Sequence, residues 1–435
     1  MEIVLPRRAF KKHKARLDKK NKKGKGRLDE DGYNEDPRRR IDESNSICSM
    51  DDFLHEDDDE SLDDADYEDR LKENLDGATE SKSSPKRFQH LIALSRDLAD
   101  KYCPDFLINR PATMTDLVEK SLKKGKSEEQ GAAAHLTSVL ALQFGVSPEG
   151  TELLRTVHKL LITGMHNASI PAAARTKMAT ALGVTTYISE DDPFNILQAM
   201  EQLKAVFVGS CPKSDGIMPN VPAAESAVHQ AAIQAWGLLL TVAEDHSLAL
   251  IDKNLSVLSC LLHASDVDVR IASGEVLATM YEIAREHDSG FEGDDLDGLC
   301  EDLQMLATDS QKFRAKKDRK VQRSSFRDIV KAVRDGEGPD FRIQIGVETL
   351  QVITWEEKRL YDIVCGILGS GMSHHLQYNP EVRSLFGLGA PLVVNKDSDE
   401  PEKPSKFERN VGNILRGKIH TKRMAKCRDK RLDLM

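Results

Sequence analysis

Lys316, Arg319, Lys320, Arg323 and Arg327, flanked by Lys312, Lys331 and Arg334, are spaced so that a helix of 3.6 residues per turn gathers their side chains into an arc of about 120°. Guanidinium and ammonium groups massed on one face can hold phosphate or carboxylate oxygens. Ala315, Phe326, Ile329 and Val333 fall on another side, so the same helix also has a face to bury. A second cationic set, Lys418, Lys422, Arg423, Lys426, Arg428, Lys430 and Arg431, belongs to residues 403–431, which carry eleven Lys or Arg. The apolar residues there, Val411, Ile414, Leu415, Ile419 and Met424, are too few to bury a stripe, and Gly412 and Gly417 weaken a helix. Such a segment is expected to order on a polyanion. Cations all around a slender helix suit a narrow channel walled by phosphates, whereas a duplex groove needs charge on one side, so RNA is the expected ligand. A solvated helix face and an unstructured basic extension are the plainer alternatives.

The residues that could do catalysis do not assemble into a site. Gly125-Lys126-Ser127 resembles the end of a phosphate-binding loop, but the glycine required five residues earlier is Lys120. Gly369-Ser370-Gly371 lacks the spacing of a nucleophile elbow. His374 and His375 are adjacent and would point about 100° apart on a helix, which suits packing rather than a shared metal. Asp294, Asp295 and Asp297 resemble the start of a calcium loop whose first position would be Gly293, which has no ligand to offer. No enzyme activity, cofactor or metal is expected.

The elements that must position the cations follow from composition and periodicity. Aromatic residues make up 5% of the 435, so the core must come from Ala, Leu, Ile and Val, as stacked helices allow. The expected fold is mainly α: a HEAT/armadillo-like α-solenoid, a small C-terminal α+β module of β-hairpin plus helices, and disordered charged termini. The formal net charge of -10 conceals segregation, because Arg7–Arg27 holds twelve Lys or Arg and Asp29–Asp69 holds nineteen acids. Residues 1–84 show no helical or strand period and are expected to be a disordered, basic-then-acidic head. The basic block could serve nuclear import, bind nucleic acid or simply solubilise the chain. The seven cysteines lie far apart with no Cys-x-x-Cys pair, and no apolar run suits a signal peptide or a membrane span. Reduced thiols and a soluble protein of cytoplasm and nucleus are expected.

Residues 85–310 form the expected helical-repeat domain. Its register marks are Ala133, Ala174, Ala232 and Ala272, at offsets of 41, 58 and 40, the long one holding the insertion GSCPKSDGIMPNVPA. Alanine lets paired helices approach, and each pair leaves an apolar face for its neighbour to cover. Residues 311–394 then give the basic helix and the small module: a turn at Asp335–Asp340, a hairpin from FRIQI and ETLQVITW around Gly346, a helix from Trp355 to about Leu368, and further helix to about Leu388. Residues 395–435 are the linker and basic tail.

The run Ala307–Asp328, here ATDSQKFRAKKDRKVQRSSFRD, resembles the signature of the interferon-related developmental regulator family. LKKGKSEEQ at Leu122–Gln130, DVRIASGE at Asp268–Glu275, LGSGMSHHLQYN at Leu368–Asn379 and KFER with TKRMAKCRDKR in the tail resemble other blocks of that family, in the same order. The resemblance implies two roles. One is occupation of translationally inactive ribosomes, with the basic C-terminal segment in the mRNA and tRNA path of the small subunit and its ribosomal RNA as partner. The other is nuclear transcriptional co-regulation through deacetylase-containing co-repressor complexes. His420 and Met424 stand where the family usually has Arg. A non-enzymatic, ribosome-binding translational repressor is the expectation, with the co-regulator as the alternative.

Overall fold

The computed structural model describes residues 64–212, 216–308, 316–346 and 348–390, with side chains starting at Asp66 and, in the basic helix, at Arg319. The chain opens with α1 (Asp64–Glu80) and α2 (Ser84–Asp100), followed by a short turn of helix α3 (Pro104–Leu107) and α4 (Pro111–Lys124). There follow α5 (Ser127–Phe144), α6 (Pro148–His166), α7 (Ala172–Ser189), α8 (Pro193–Phe207), α9 (Ala223–Leu240), α10 (Ser247–Cys260), α11 (Val267–His287), α12 (Leu296–Thr308) and α13 (Lys316–Asp335). Strands β1 (Phe341–Ile345) and β2 (Glu348–Val352) and helices α14 (Trp355–Leu368), α15 (Met372–Tyr378) and α16 (Pro380–Leu385) complete the described residues.

Alternate helices form a continuous inner row, in which α2 packs on α5, α5 on α7, α7 on α9, α9 on α11 and α11 on α13. The others, α4, α6, α8, α10 and α12, each back the inner helix that follows them. This two-row stack is a mostly α-helical, solenoid-like arrangement. All four alanine register marks are buried, one on each of α5, α7, α9 and α11, successive members of the inner row.

Small residues set the spacing of that row. A Cβ built on Gly131 would come within 3.1 Å of the Ala174 Cβ, and one on Gly183 within 2.6 Å of the Ala235 Cβ. One on Gly237 would meet Val276 at 2.7 Å, and one on Gly274 would meet Ile329 and Phe326 at 2.9 Å. From α5 onward each inner helix therefore approaches the next through a residue with little or no side chain, which is the packing that the alanine pattern implied.

Part of the expected head is helical. Residues 64–80, placed within a disordered head, form α1, because Tyr67, Leu71, Leu75 and Ala78 make a buried stripe against the core. Their four- and three-residue spacing is a helical period that surrounding acids obscure. The Tyr67 hydroxyl also donates to the Asp97 carbonyl. The rest of the expected head, residues 1–63, the last residues of the expected module, 391–394, and the expected linker and tail, 395–435, lie outside the described residues.

The C-terminal module has the expected elements. Strands β1 and β2 pair antiparallel, with Ile345 opposite Glu348 across a turn that Gly346 enters at φ 55°. Helix α14 begins at Trp355 and ends at Leu368, as expected, with a capping box between Thr354 and Glu357. Helix α14 lies across the inner row and meets α2, α5, α9 and α11.

Candidate functional site

Helix α13 ends the inner row, and its packing decides which cations reach solvent. Phe326, Ile329 and Val333 are fully buried, as their spacing predicted, together with Val330, Ala332 and Gln322. At 100° per residue Val330 and Arg319 flank one edge of the expected basic arc, so burial there trims the free face to about 80°. Lys320, Arg327, Lys331 and Arg334 are exposed, and Arg323 and Arg319 are half-buried. Arg323 turns its Nε toward the Arg319 carbonyl at 3.2 Å, Arg334 pairs with Asp335 at 3.1 Å, and Arg319 has its Nε enclosed without a hydrogen-bond partner among the described residues. Lys320, Arg327 and Lys331, with Arg323 beside them, therefore form one shared face, and Arg319 belongs to its edge. Lys316 opens the helix, but its side chain is outside the described residues, as are Lys312 and Ala315. Lys418, Lys422, Arg423, Lys426, Arg428, Lys430 and Arg431 also lie outside them.

What holds the cationic helix is a buried arginine. Arg270, 2% exposed, directs Nε and Nη2 to Gln322 Oε1 on α13 at 3.2 and 2.6 Å. Its Nη1 reaches the carbonyls of Ala264 and Ser265 at 2.6 and 2.9 Å. Gln322 Nε2 continues to the Leu306 carbonyl at the end of α12. Arg270 and Gln322 come from two of the sequence blocks singled out above, and the sequence reading gave neither a role. Their joint occurrence was the available signal: a glutamine at the centre of an apolar helix face needs a buried partner.

The other blocks also resolve into contacts. Glu129 receives Arg87 at 2.8 Å and Ser84 at 2.7 Å; burial opposes its charge, but these partners outweigh it and lower its pKa. In LGSGMSHHLQYN, Ser370 donates to Asp100 at 3.1 Å, His374 Nδ1 accepts the Tyr102 N–H at 3.3 Å, and Asn379 Nδ2 donates to the Leu142 carbonyl at 3.0 Å. The two histidines thus sit in a clasp joining the C-terminal module to the first inner helices. Farther along, Lys358 on α14 meets Glu275 at 3.0 Å and Asp362 at 2.6 Å. Burial disfavours that ammonium, yet Asp362 and Glu275 outweigh it and raise its pKa.

Among the described residues no group of three or more His, Cys, Asp or Glu could hold a metal, and no helix is long and apolar enough to cross a membrane. The described arrangement is that of a mostly helical, solenoid-like protein with one cationic helix face at the end of its inner row. Its sequence matches the model of the interferon-related developmental regulator family over residues 41–334. It is 38% identical over 380 residues to interferon-related developmental regulator 2 of Mus musculus, with 86% of each chain covered. Over 383 residues it is 37% identical to interferon-related developmental regulator 1 of Homo sapiens, covering 87% of this chain and 85% of that one. The protein belongs to the interferon-related developmental regulator family.

Proposed function

We propose that this protein is a non-enzymatic translational repressor, built as a HEAT/armadillo-like solenoid, that binds the small ribosomal subunit of idle ribosomes through α13 and its basic tail. On this reading it works in the cytoplasm and can enter the nucleus. The supporting observation is the division of α13: Phe326, Ile329 and Val333 fix one side into the core, while Lys320, Arg327 and Lys331 stand exposed on the other. Cations mounted on a packed helix keep their spacing without a partner, and phosphate-lined RNA rewards that arrangement through counterion release. The tail supplies further cations on a segment with almost no apolar face.

The test is sedimentation of the full chain with purified idle ribosomes through sucrose, with and without RNase. Lys320→Glu, Arg327→Glu and Lys331→Glu combined should weaken co-sedimentation while leaving the melting curve in place. Co-sedimentation equal to the wild type would remove the stripe from the binding surface. Loss of a deacetylase-containing complex from nuclear extract, insensitive to RNase, would instead favour the co-regulator reading.

A further inference from the structure

A cysteine within the insertion that lengthens one repeat offset lies close to a second cysteine at the end of the next outer helix. Cys211 follows the short turn Val208–Ser210 after α8, and Cys260 closes α10. Both thiols turn to the same backbone carbonyl, that of Val257, Cys260 Sγ at 2.9 Å and Cys211 Sγ at 3.9 Å. Sharing that acceptor brings the two sulfurs close to one another, and Lys204 adds positive charge nearby. Both are free and half-buried, so a small oxidant can reach them while larger reagents are hindered. Neither thiol has a part in the cationic face.

We propose that Cys211 and Cys260 form a reversible dithiol–disulfide site that reacts with hydrogen peroxide. One thiolate attacks a peroxide oxygen; the O–O bond breaks, a sulfenic acid forms and the departing hydroxide takes a proton to become water. The second thiolate then attacks that sulfur, the S–O bond breaks and a second water leaves. Two thiols and one peroxide become one disulfide and two waters, with the thiols oxidised and the peroxide reduced. The cross-link ties the segment after α8 to the end of α10, and so joins consecutive outer helices of the stack. It closes a long chain loop, so the thermal midpoint of the oxidised protein should rise by about 5 °C.

The experiment treats the reduced full chain with limiting hydrogen peroxide and maps peptides without reductant. The expected product joins the Cys211 peptide to the Cys260 peptide and is reversed by dithiothreitol, while Cys103 and Cys300, also half-buried, remain largely thiols. In Cys211→Ser or Cys260→Ser the remaining partner should stop at the sulfenic acid, trapped by dimedone, and reach sulfinic acid only when a second equivalent of peroxide is added. Phenylarsine oxide, which bridges two neighbouring thiols, supplies a second readout on the wild type, independent of how the serine variants fold. It should be retained at this pair and protect both residues from alkylation. The proposal is overturned if the cross-link forms only in denaturant, if Cys103 and Cys300 oxidise at the same rate with no joined peptide, or if phenylarsine oxide leaves both cysteines open to alkylation.

Discussion

The Arg270 guanidinium closes on the Gln322 side-chain oxygen at 2.6 Å, inside the seam between α11 and α13. The residue that fixes the cationic helix is thus itself a cation, buried in the seam. Gln322 and two backbone carbonyls accept its hydrogen bonds in place of water. Replacing Gln322 by Leu removes the acceptor of two guanidinium hydrogen bonds inside the seam, at a cost of about 1.5–3 kcal/mol. Urea unfolding measures this, and Gln322→Glu should recover part of the loss. If Gln322→Leu unfolds at the wild-type midpoint, the contact is not a support of α13.

Phe326 is fully buried, and a Cβ on Gly274 would meet it at 2.9 Å, so its ring fills the closest approach of α11 and α13. Phe326→Ala should cost about 3–5 kcal/mol in chemical unfolding. Charge reversal at Lys320, Arg327 and Lys331, all exposed, should change stability by less than about 1 kcal/mol. Arg319→Glu is expected to behave differently from those three, because part of its guanidinium is already enclosed. A neutral Phe326→Ala would exchange the packing and binding sides of the helix.

The inner row was legible in the sequence because alanine and glycine must stand where helices approach closely, and alanines recurring at offsets of 41, 58 and 40 mark successive passes of the chain, the long one holding an insertion. The hairpin and α14 were legible from alternation and from the Gly369–Gly371 break. Two things were not. Helix α1 hides its Tyr67-Leu71-Leu75-Ala78 stripe among acids, so mean composition outweighed periodicity. The return of α14 across the inner row depends on contacts between residues hundreds of positions apart, such as Asn379 with Leu142, which no local pattern encodes. The basic face was read correctly as a face, but its edge at Arg319 depends on how far the neighbours wrap around α13.

Gly371 offers a direct probe of that return. A Cβ there would lie 1.9 Å from the Ala99 carbonyl oxygen, a backbone atom with little freedom to yield. Gly371→Ala should loosen the clasp and expose residues 341–390 to hydrogen exchange and proteolysis, while α5 to α11 keep their protection. Gly366→Ala, where a Cβ meets nothing within 4 Å, serves as the control. Equal exchange in the two variants would mean that the close approach does not hold the module.

The same clasp contains a pH-sensitive element. His375 is fully buried, its Nδ1 accepts from Asn379 at 3.0 Å, and its Nε2 is enclosed without a hydrogen-bond partner among the described residues. Burial, aided by His374, pushes its pKa from 6.5 down to about 4. The neutral ring is the form that folds, so its contribution is complete above about 6.5 and is lost as pH falls toward about 4, on the order of 3 kcal/mol in all. Asp100 and Glu381, whose pKa values burial raises, act in the opposite sense in acid. The wild-type minus His375→Gln difference in unfolding free energy isolates the histidine. A flat difference between pH 6.5 and 4 would show that His375 does not titrate with folding.

The tail carries the most quantitative expectation of the proposed function. Residues 403–431 hold eleven Lys or Arg with almost no apolar face, so their affinity must come chiefly from displaced counterions. If about six phosphates are neutralised, the logarithm of the binding constant for idle ribosomes should fall with log salt at a slope of roughly -4 to -5. Truncation after Ser405 should flatten that slope and leave weak binding through Lys320, Arg327 and Lys331. Adding a cation by Met424→Arg should tighten the intact chain most at low salt, where each phosphate contact counts most. An affinity and slope unchanged by truncation would make the tail a passive extension and leave α13 as the proposed contact; a slope retained without α13's exposed cations would assign the whole electrostatic contribution to the tail.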